Sequence, residues 1–351
     1  MAERRSGPWT YASSGVDVDA RARALSALLG GVSYRPPPTH GRPLAAPGHF
    51  AGLVRIGRET IAVTTDTVGT KTLLAEALDR WEEVGEDIVG VNVNDLAAVG
   101  ARPAALVDTV LCARPEEEVF RALGRGIERG LREARCSLLG GETAIVPDLV
   151  RGTDLGATAI GFFPRGRQPV TGARIRPGDR ILGIPSNGVH ANGFTLLRKL
   201  LDARSVDLAR PRPGSRIPVG EELLRPTRIY TVAADALADR PEAHGFAHIS
   251  GGGVRNLSRL SDRVAFVLDA WPAIPPLFGW IQELGAVSTT EMFQTFNMGI
   301  GFALVVAPDH LSETRRRLAR AGAGDAGEIG HVERGRGVSV PAFGLRYEGY
   351  A

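Results

Sequence analysis

Strand-like and helix-like stretches alternate through both halves of this 351-residue chain, and that alternation predicts an α/β (α+β) protein of two domains. Three observations carry the prediction. The chain is longer than one hydrophobic core usually spans. Apolar residues make up 43% and charged residues 23%, the balance of a globular protein. Residues 164–177 are rich in Gly, Pro and Arg and separate a strand that closes one half from a strand that opens the next, so the domains are set at 1–168 and 169–351.

The formal charge is only +3, and the 42 basic residues form no Lys/Arg run of the kind that grips nucleic acid. Nucleic acid is therefore excluded as a partner, whereas phosphorylated small molecules are not. Cys112 and Cys136 stand apart beside apolar segments, with neither a disulfide framework nor metal-ligand spacing. They read as buried small side chains in a reducing, cytoplasmic setting. No stretch approaches a membrane span, and residues 1–9 lack the apolar core of a signal peptide.

The first half opens with Tyr11-Ala12-Ser13-Ser14-Gly15-Val16-Asp17 and a helical pattern over 20–29. Glycine and proline dominate 35–52, and the loop Pro47-Gly48-His49-Phe50 could bring backbone amides close to a ligand. A strand at 61–63 leads through Thr64-Thr65-Asp66-Thr67-Val68-Gly69-Thr70-Lys71 into a helix over 72–78. This turn sets a carboxylate and an ammonium at a strand end, where Asp66 can hold a divalent cation and Lys71 can meet phosphate oxygens. Lys71 and Lys199 are the only lysines, so a chain that uses arginine almost everywhere keeps lysine here. The spacing is not the Walker pattern, which has glycine immediately before the lysine.

Residues 85–100 suit a helix lying against a sheet, with Ile88, Val91, Leu96 and Val99 apolar. Asn94 and Asp95 interrupt it, and both residue types prefer caps and turns, which assigns the pair a functional role. A strand over 104–112 and an amphipathic helix over 115–135 follow, with Pro115 in its first turn. Residues 137–139 then lead into Gly140-Gly141-Glu142, which reads equally as a glutamate presented on a double-glycine turn or as a hairpin corner. Asp66, Asp95 and Glu142 supply three carboxylates, the donors that Mg²⁺ takes beside nucleotide phosphates. A strand over 155–163 closes the half.

The second half restarts with a strand at 180–185 and the polar loop Ser186-Asn187-Gly188-Val189-His190-Ala191-Asn192-Gly193. The loop enters a helix over 194–201, whose N-terminus favours anions. Residues 221–239 read as helical apart from Pro226. His248 precedes Ser250-Gly251-Gly252-Gly253, a second glycine-rich passage from strand to helix. Two histidines at analogous turns point to substrate contact. A helix over 278–284, the stretch 291–301, a strand over 302–306 and a helix over 311–320 complete the order.

These segments, in this order, resemble the phosphoribosylformylglycinamidine cyclo-ligase family, also called aminoimidazole ribonucleotide synthetase, of purine biosynthesis. The similarity runs through residues 11–17, 66–71, 93–96, 140–144, 186–193, 248–253 and 295–301. It implies a two-domain PurM-like fold, a homodimer, and a first domain that handles ATP and Mg²⁺. It also implies phosphorylation of the formyl oxygen of formylglycinamidine ribonucleotide, attack by an amidine nitrogen and loss of phosphate as the imidazole closes.

Carried over by position, the resemblance assigns metal to Asp66, Asp95 and Glu142. ATP falls to those three with Gly48, His49, Phe50, Gly69, Thr70, Asn94 and Gly141. Lys71, His190 and His248 become catalytic, and Ser186, Asn187, Gly188, His190, Asn192, Gly251 and Gly252 receive the substrate. The chain departs from the usual pattern in four places: Thr67 replaces a glycine, which would strain it if positive φ were required there, Gly156-Ala157 inverts a usual Ala-Gly, the loop Pro47-Gly48-His49-Phe50 is less glycine-rich, and 24–29 has no lysine near the end of the first helix. Thiamine-monophosphate kinase, selenophosphate synthetase and the nickel-iron hydrogenase maturation protein share the superfamily. The chain lacks the paired aspartates of the first, the loop cysteine of the second and the C-terminal cysteine of the third. The rival of another class is a non-catalytic nucleotide-binding paralogue, against which the intact Asp66, Lys71, Asp95 and Glu142 stand.

Overall fold

A computed structural model describes residues 9–350 apart from 17, 35 and 45–47, and each half of the chain builds one sheet. Residues 1–8, Asp17 of the opening motif, and Arg35 and Pro47 of the proline-rich stretch lie outside the described residues.

The first sheet holds β1 (Arg42–Pro43), β2 (Gly52–Ile56), β3 (Glu59–Thr67), β4 (Arg102–Cys112), β5 (Ser137–Ile145) and β6 (Thr153–Phe162) in the order β1-β2-β3-β6-β4-β5. Only β4 and β5 run parallel. Its helices are α1 (Val18–Gly30), α2 (Thr72–Leu78), α3 (Glu82–Ala98) and α4 (Glu117–Ala134). The period-two alternation of the strands sends Ala62, Leu155, Ala157, Ala159 and Val110 into the core, while Val63, Val107 and Phe162 stay exposed on the opposite face. α3 is enclosed by this sheet, by α4 and by elements of the second half, so buried residues surround it instead of forming one stripe.

The second sheet holds β7 (Arg180–Pro185), β8 (Ala243–His248), β9 (Val264–Val267), β10 (Ile300–Val306), β11 (Gly327–Arg334), β12 (Gly337–Val340) and β13 (Leu345–Tyr347) in the order β13-β12-β9-β11-β7-β10-β8. β10 is buried at every position, as its unbroken apolar run requires. The helices here are α5 (Phe194–Ala203), α6 (Val219–Leu224), α7 (Thr231–Asp235), α8 (Pro276–Gly285), α9 (Thr289–Thr295) and α10 (Leu311–Arg320). The opening motif docks on this half, where the Tyr11 amide donates to Glu291 Oε1 at 2.7 Å.

Four expectations are corrected. Asp66 lies inside β3 and not on a turn, because the strand extends through Thr67 and pairs with β6 to its end. Glu142 sits within the continuous edge strand β5; the double glycine makes a bulge, with Gly140 at φ +138° and a register shift against β4. Residues 221–239 split into α6 and α7 around an extended segment at Pro226. The passage after His248 enters a 3₁₀ turn, Gly253–Arg259.

Thr67 is not strained, since its φ is not positive and it closes an ordinary strand. Its register partner is Gly156, where an added Cβ would meet Thr67 Cγ2 at 3.4 Å. These two of the departures from the family pattern thus face one another. Cys112 and Cys136 are free thiols, the first buried and the second half-buried, with burial pushing Cys136 up to about 11. Among the described residues no helix is long and apolar enough to cross a membrane.

Candidate active site

The end of β3, the last turns of α3, the end of β8 and the loop at 48–50 come together around Asp66, Asp95 and His248. Asp66 pairs in register with the core residue Ala157, so its side chain points to the α3 side of the sheet. Asp95, on α3, accepts a hydrogen bond at Oδ1 from His248 Nδ1 at 2.9 Å. Crowding by protein, then the charge of Asp95, raises the Asp66 carboxyl to about 6, against the pull of the Thr67 amide, which donates to Oδ1 at 2.8 Å. Two carboxylates that repel each other match the chemistry of a divalent cation, which relieves that repulsion.

Glu142 does not join them. The register runs Thr67 to Gly156 to Thr109 to Glu142, so Glu142 stands three strands from Thr67, about 14 Å away, on the face opposite Asp66. Among the described residues no group of three metal-ligating side chains forms. The expected trio is therefore reduced to the pair Asp66 and Asp95 within one chain, and Gly141 stays with Glu142 on the exposed edge.

His49 and Phe50 lie beside this pair. Arg259 fixes their loop, donating from Nε to the Gly48 carbonyl at 3.0 Å and from Nη2 to the His49 carbonyl at 2.7 Å. Its guanidinium also lies over the Phe50 ring at 4.2 Å and the Tyr350 ring at 5.1 Å. Burial, then the Arg259 charge, depresses His49 to about 4, which keeps its imidazole neutral at pH 7. Arg259 and Tyr350 escaped the sequence reading, since neither stands in a motif and one arginine among so many carries no signal.

Lys71 does not face this cluster. Its ammonium is fully buried, 2.6 Å from Asp87 Oδ2, and donates to the carbonyls of His190 at 3.0 Å and Arg225 at 2.9 Å. Two carbonyls and one carboxylate thus enclose the ammonium. Asp87 in turn accepts from the Thr227 amide at 2.8 Å and from Thr227 Oγ1 at 2.6 Å. Asn94 is likewise committed to the second domain: Nδ2 donates to the Arg228 carbonyl at 2.9 Å and Oδ1 accepts from the Tyr230 amide at 2.8 Å. Gly69 opens the turn at φ +65°, and Thr70 Oγ1 meets Thr195 Oγ1 at 2.9 Å, tying the turn to α5.

The loop at 186–193 and the turn at 250–253 are adjacent. An added Cβ at Gly251 would lie 2.8 Å from Asn192 Oδ1, and Gly252 lies against the Tyr350 ring. Asn297 organises the loop: Ser186 Oγ donates to its Oδ1 at 2.9 Å, and its Nδ2 donates to the Gly188 carbonyl at 2.8 Å. Asn187 donates to the Pro226 carbonyl at 2.9 Å. His190 takes φ +61° and is buried against Tyr230, with both ring nitrogens unpartnered. Burial, then neighbouring His248 and Lys71, holds its imidazole neutral. The structure therefore brings Asp66, Asp95, His248, His49, Asn192 and Gly251 around one region, keeps His190 beneath it, and sets Glu142 apart.

Residues 48–163 match the family model for the AIR synthase related protein, N-terminal domain, and residues 176–342 match that for the C-terminal domain. The chain is 43% identical over 337 residues to the phosphoribosylformylglycinamidine cyclo-ligase of Methanothermobacter thermautotrophicus, covering 95% of this chain and 97% of that one. It is 41% identical over 341 residues to the enzyme of the same name from Thermococcus kodakarensis, covering 96% and 99%. Among solved structures, a chain of the HypE–HypF complex superposes at TM-score 0.66 with 17% identity, covering 91% of this chain and 95% of that one. AaThiL complexed with AMPPCP and TMP superposes at 0.63 with 19% identity, covering 94% and 95%. These two likenesses show a common fold.

Proposed function

The chain belongs to the AIR synthase related family over both of its halves, and on that premise we propose that it closes the imidazole ring of formylglycinamidine ribonucleotide at the expense of ATP. The observation that carries this reading is near-complete alignment, above 40% identity, with relatives named for that cyclo-ligase, together with Asp66, Asp95 and His248 gathered side by side. ATP supplies the phosphoryl group that turns the formyl oxygen into a leaving group. The chain supplies position and electrostatics.

Asp66 and Asp95 would hold Mg²⁺ beside the nucleotide, and the Gly48–His49–Phe50 loop, pinned by Arg259, lies next to that pair. With Nδ1 donating to Asp95, His248 presents Nε2 as a proton acceptor for the attacking amidine nitrogen. The loop at 186–193 and Gly251–Gly252 receive the ribonucleotide, with phosphate at the N-terminus of α5. The domain boundary is placed at 168/169, the site of work in the cytoplasm.

The acting species is a homodimer. The face of the first sheet turned away from α3 exposes Val63, Val107 and Phe162, where a solvated sheet face would carry polar residues. A second copy covers it. The test of function is the purified protein with formylglycinamidine ribonucleotide, ATP and Mg²⁺, following aminoimidazole ribonucleotide and ADP together. Equal formation of both supports the reading; ADP alone, or neither product, overturns it.

A further inference from the structure

Segment 225–230 of the second domain is held along its length by side chains of the first. In order along it, the Arg225 carbonyl accepts from Lys71, the Thr227 amide and hydroxyl donate to Asp87, the Arg228 carbonyl accepts from Asn94 and the Tyr230 amide donates to Asn94. Asp87, Gly90 and Asn94 fall at i, i+3 and i+7, one face of α3, and Gly90 lets Thr227 approach so closely that an added Cβ would stand 3.0 Å from its carbonyl oxygen. The same Lys71 ammonium holds the carbonyl of His190, whose backbone is in the left-handed region that a non-glycine residue occupies only when its surroundings enforce it. Asn187, in the same loop, reaches the Pro226 carbonyl. The segment at 225–230 and the loop at 186–193 are thus fixed to each other and to α3 through one buried ion pair.

We propose that Lys71 and Asp87 are positioning residues for the loop at 186–193 and not ligands of the nucleotide. A buried ion pair is a weak source of stability but a strong constraint on geometry, because each charge must find its partners in one arrangement. Here the ammonium has no exposed surface and is enclosed by two carbonyls and the paired Asp87 carboxylate, which leaves a phosphate no open approach to it. The pair converts the docking of the two domains into the backbone conformation of His190 and, through it, the placement of Asn192. Only the kinetic arm of the test below rests on the ring-closing reading.

The test compares the native chain with K71M, K71M/D87L and T227V. Amide hydrogen exchange is measured over 186–193 and 225–230, affinity is measured for a non-hydrolysable ATP analogue, and kcat and KM are measured for the ribonucleotide. In K71M/D87L, which leaves no unpaired buried charge, exchange in both segments rises at least tenfold while β3 and β10 are unchanged. Analogue affinity stays within threefold of native, and kcat/KM for the ribonucleotide falls at least tenfold. T227V keeps the ion pair, removes one donor and gives the same pattern at smaller amplitude, which decides the matter if the double variant fails to fold. Unchanged exchange in the two segments overturns the proposal, and so does a tenfold loss of analogue affinity, which would place Lys71 on a phosphate. Absence of ring closure by the native chain would count against the function alone, since exchange still reads the positioning role.

Discussion

Replacing Gly90 with alanine puts the contact between α3 and segment 225–230 to a quantitative test. In an exposed helix this change stabilises by about 0.5–1 kcal/mol, because glycine loses more backbone freedom on folding. Here the added methyl would lie 3.0 Å from the Thr227 carbonyl oxygen, 3.2 Å from its Cβ and 3.3 Å from its Cγ2. Relief requires Thr227 to retreat by a few tenths of an ångström, yet Thr227 is 1% exposed and bound to Asp87 through both its amide and its hydroxyl. Overpacking a site that cannot give costs about 1–3 kcal/mol, which outweighs the helix gain. The expected net is a loss of about 1 kcal/mol, or a midpoint lower by about 2–4 °C for a domain of this size. Thermal unfolding by circular dichroism and calorimetry on the same samples reads it. A midpoint at or above native would refute the reasoning, since it would mean that the 225–230 segment yields to a methyl group and is not fixed as described.

Asp95→Ala is expected to abolish turnover while the far-ultraviolet spectrum and melting profile stay native, because the carboxylate holds His248 beside Asp66; normal turnover would remove Asp95 from the site. Asp66 is expected to titrate near 6 by carbon NMR without metal, and well below that with millimolar Mg²⁺; an unmoved titration would exclude it as a ligand. The sign for stability follows: with its native pKa raised, Asp66 contributes most at low pH, and that contribution is lost as pH rises from about 4 to 6. Phe162→Arg, on the exposed sheet face, is expected to halve the mass seen by sedimentation equilibrium, and an unchanged dimer would place the interface elsewhere.

Uninterrupted signals in the sequence were the ones that read true. β7 was bounded at 180–185 because its apolar run is flanked by polar and turn residues, and the α10 segment because its apolar positions repeat at helical spacing. Glu142 was misread because a bulge and a turn both ask for glycine, and only the neighbouring strand β4 distinguishes them. Lys71 drew attention as one of two lysines, but its partner Asp87 lay hidden among Glu82, Glu83 and Glu86, where one more acid looks like helix surface. Asn94 and Asp95 stand out in the sequence as a polar pair inside an apolar helix. Sequence adjacency hid that a helix turns about 100° per residue, which sends Asn94 to the 225–230 segment and Asp95 to His248.

Thr227, Arg228 and Tyr230 belong by sequence to the second half, yet the groups that satisfy their backbone belong to α3 of the first. A cut at 168/169 would leave those amides and carbonyls to water in one fragment and an unanswered lysine and aspartate in the other. Recombining this first half with the second half of a distant relative would graft a loop onto a helix face written for a different one. The unit that can be inherited intact is therefore the two halves together, and drift in α3 is answerable to a stretch of chain some 140 residues downstream.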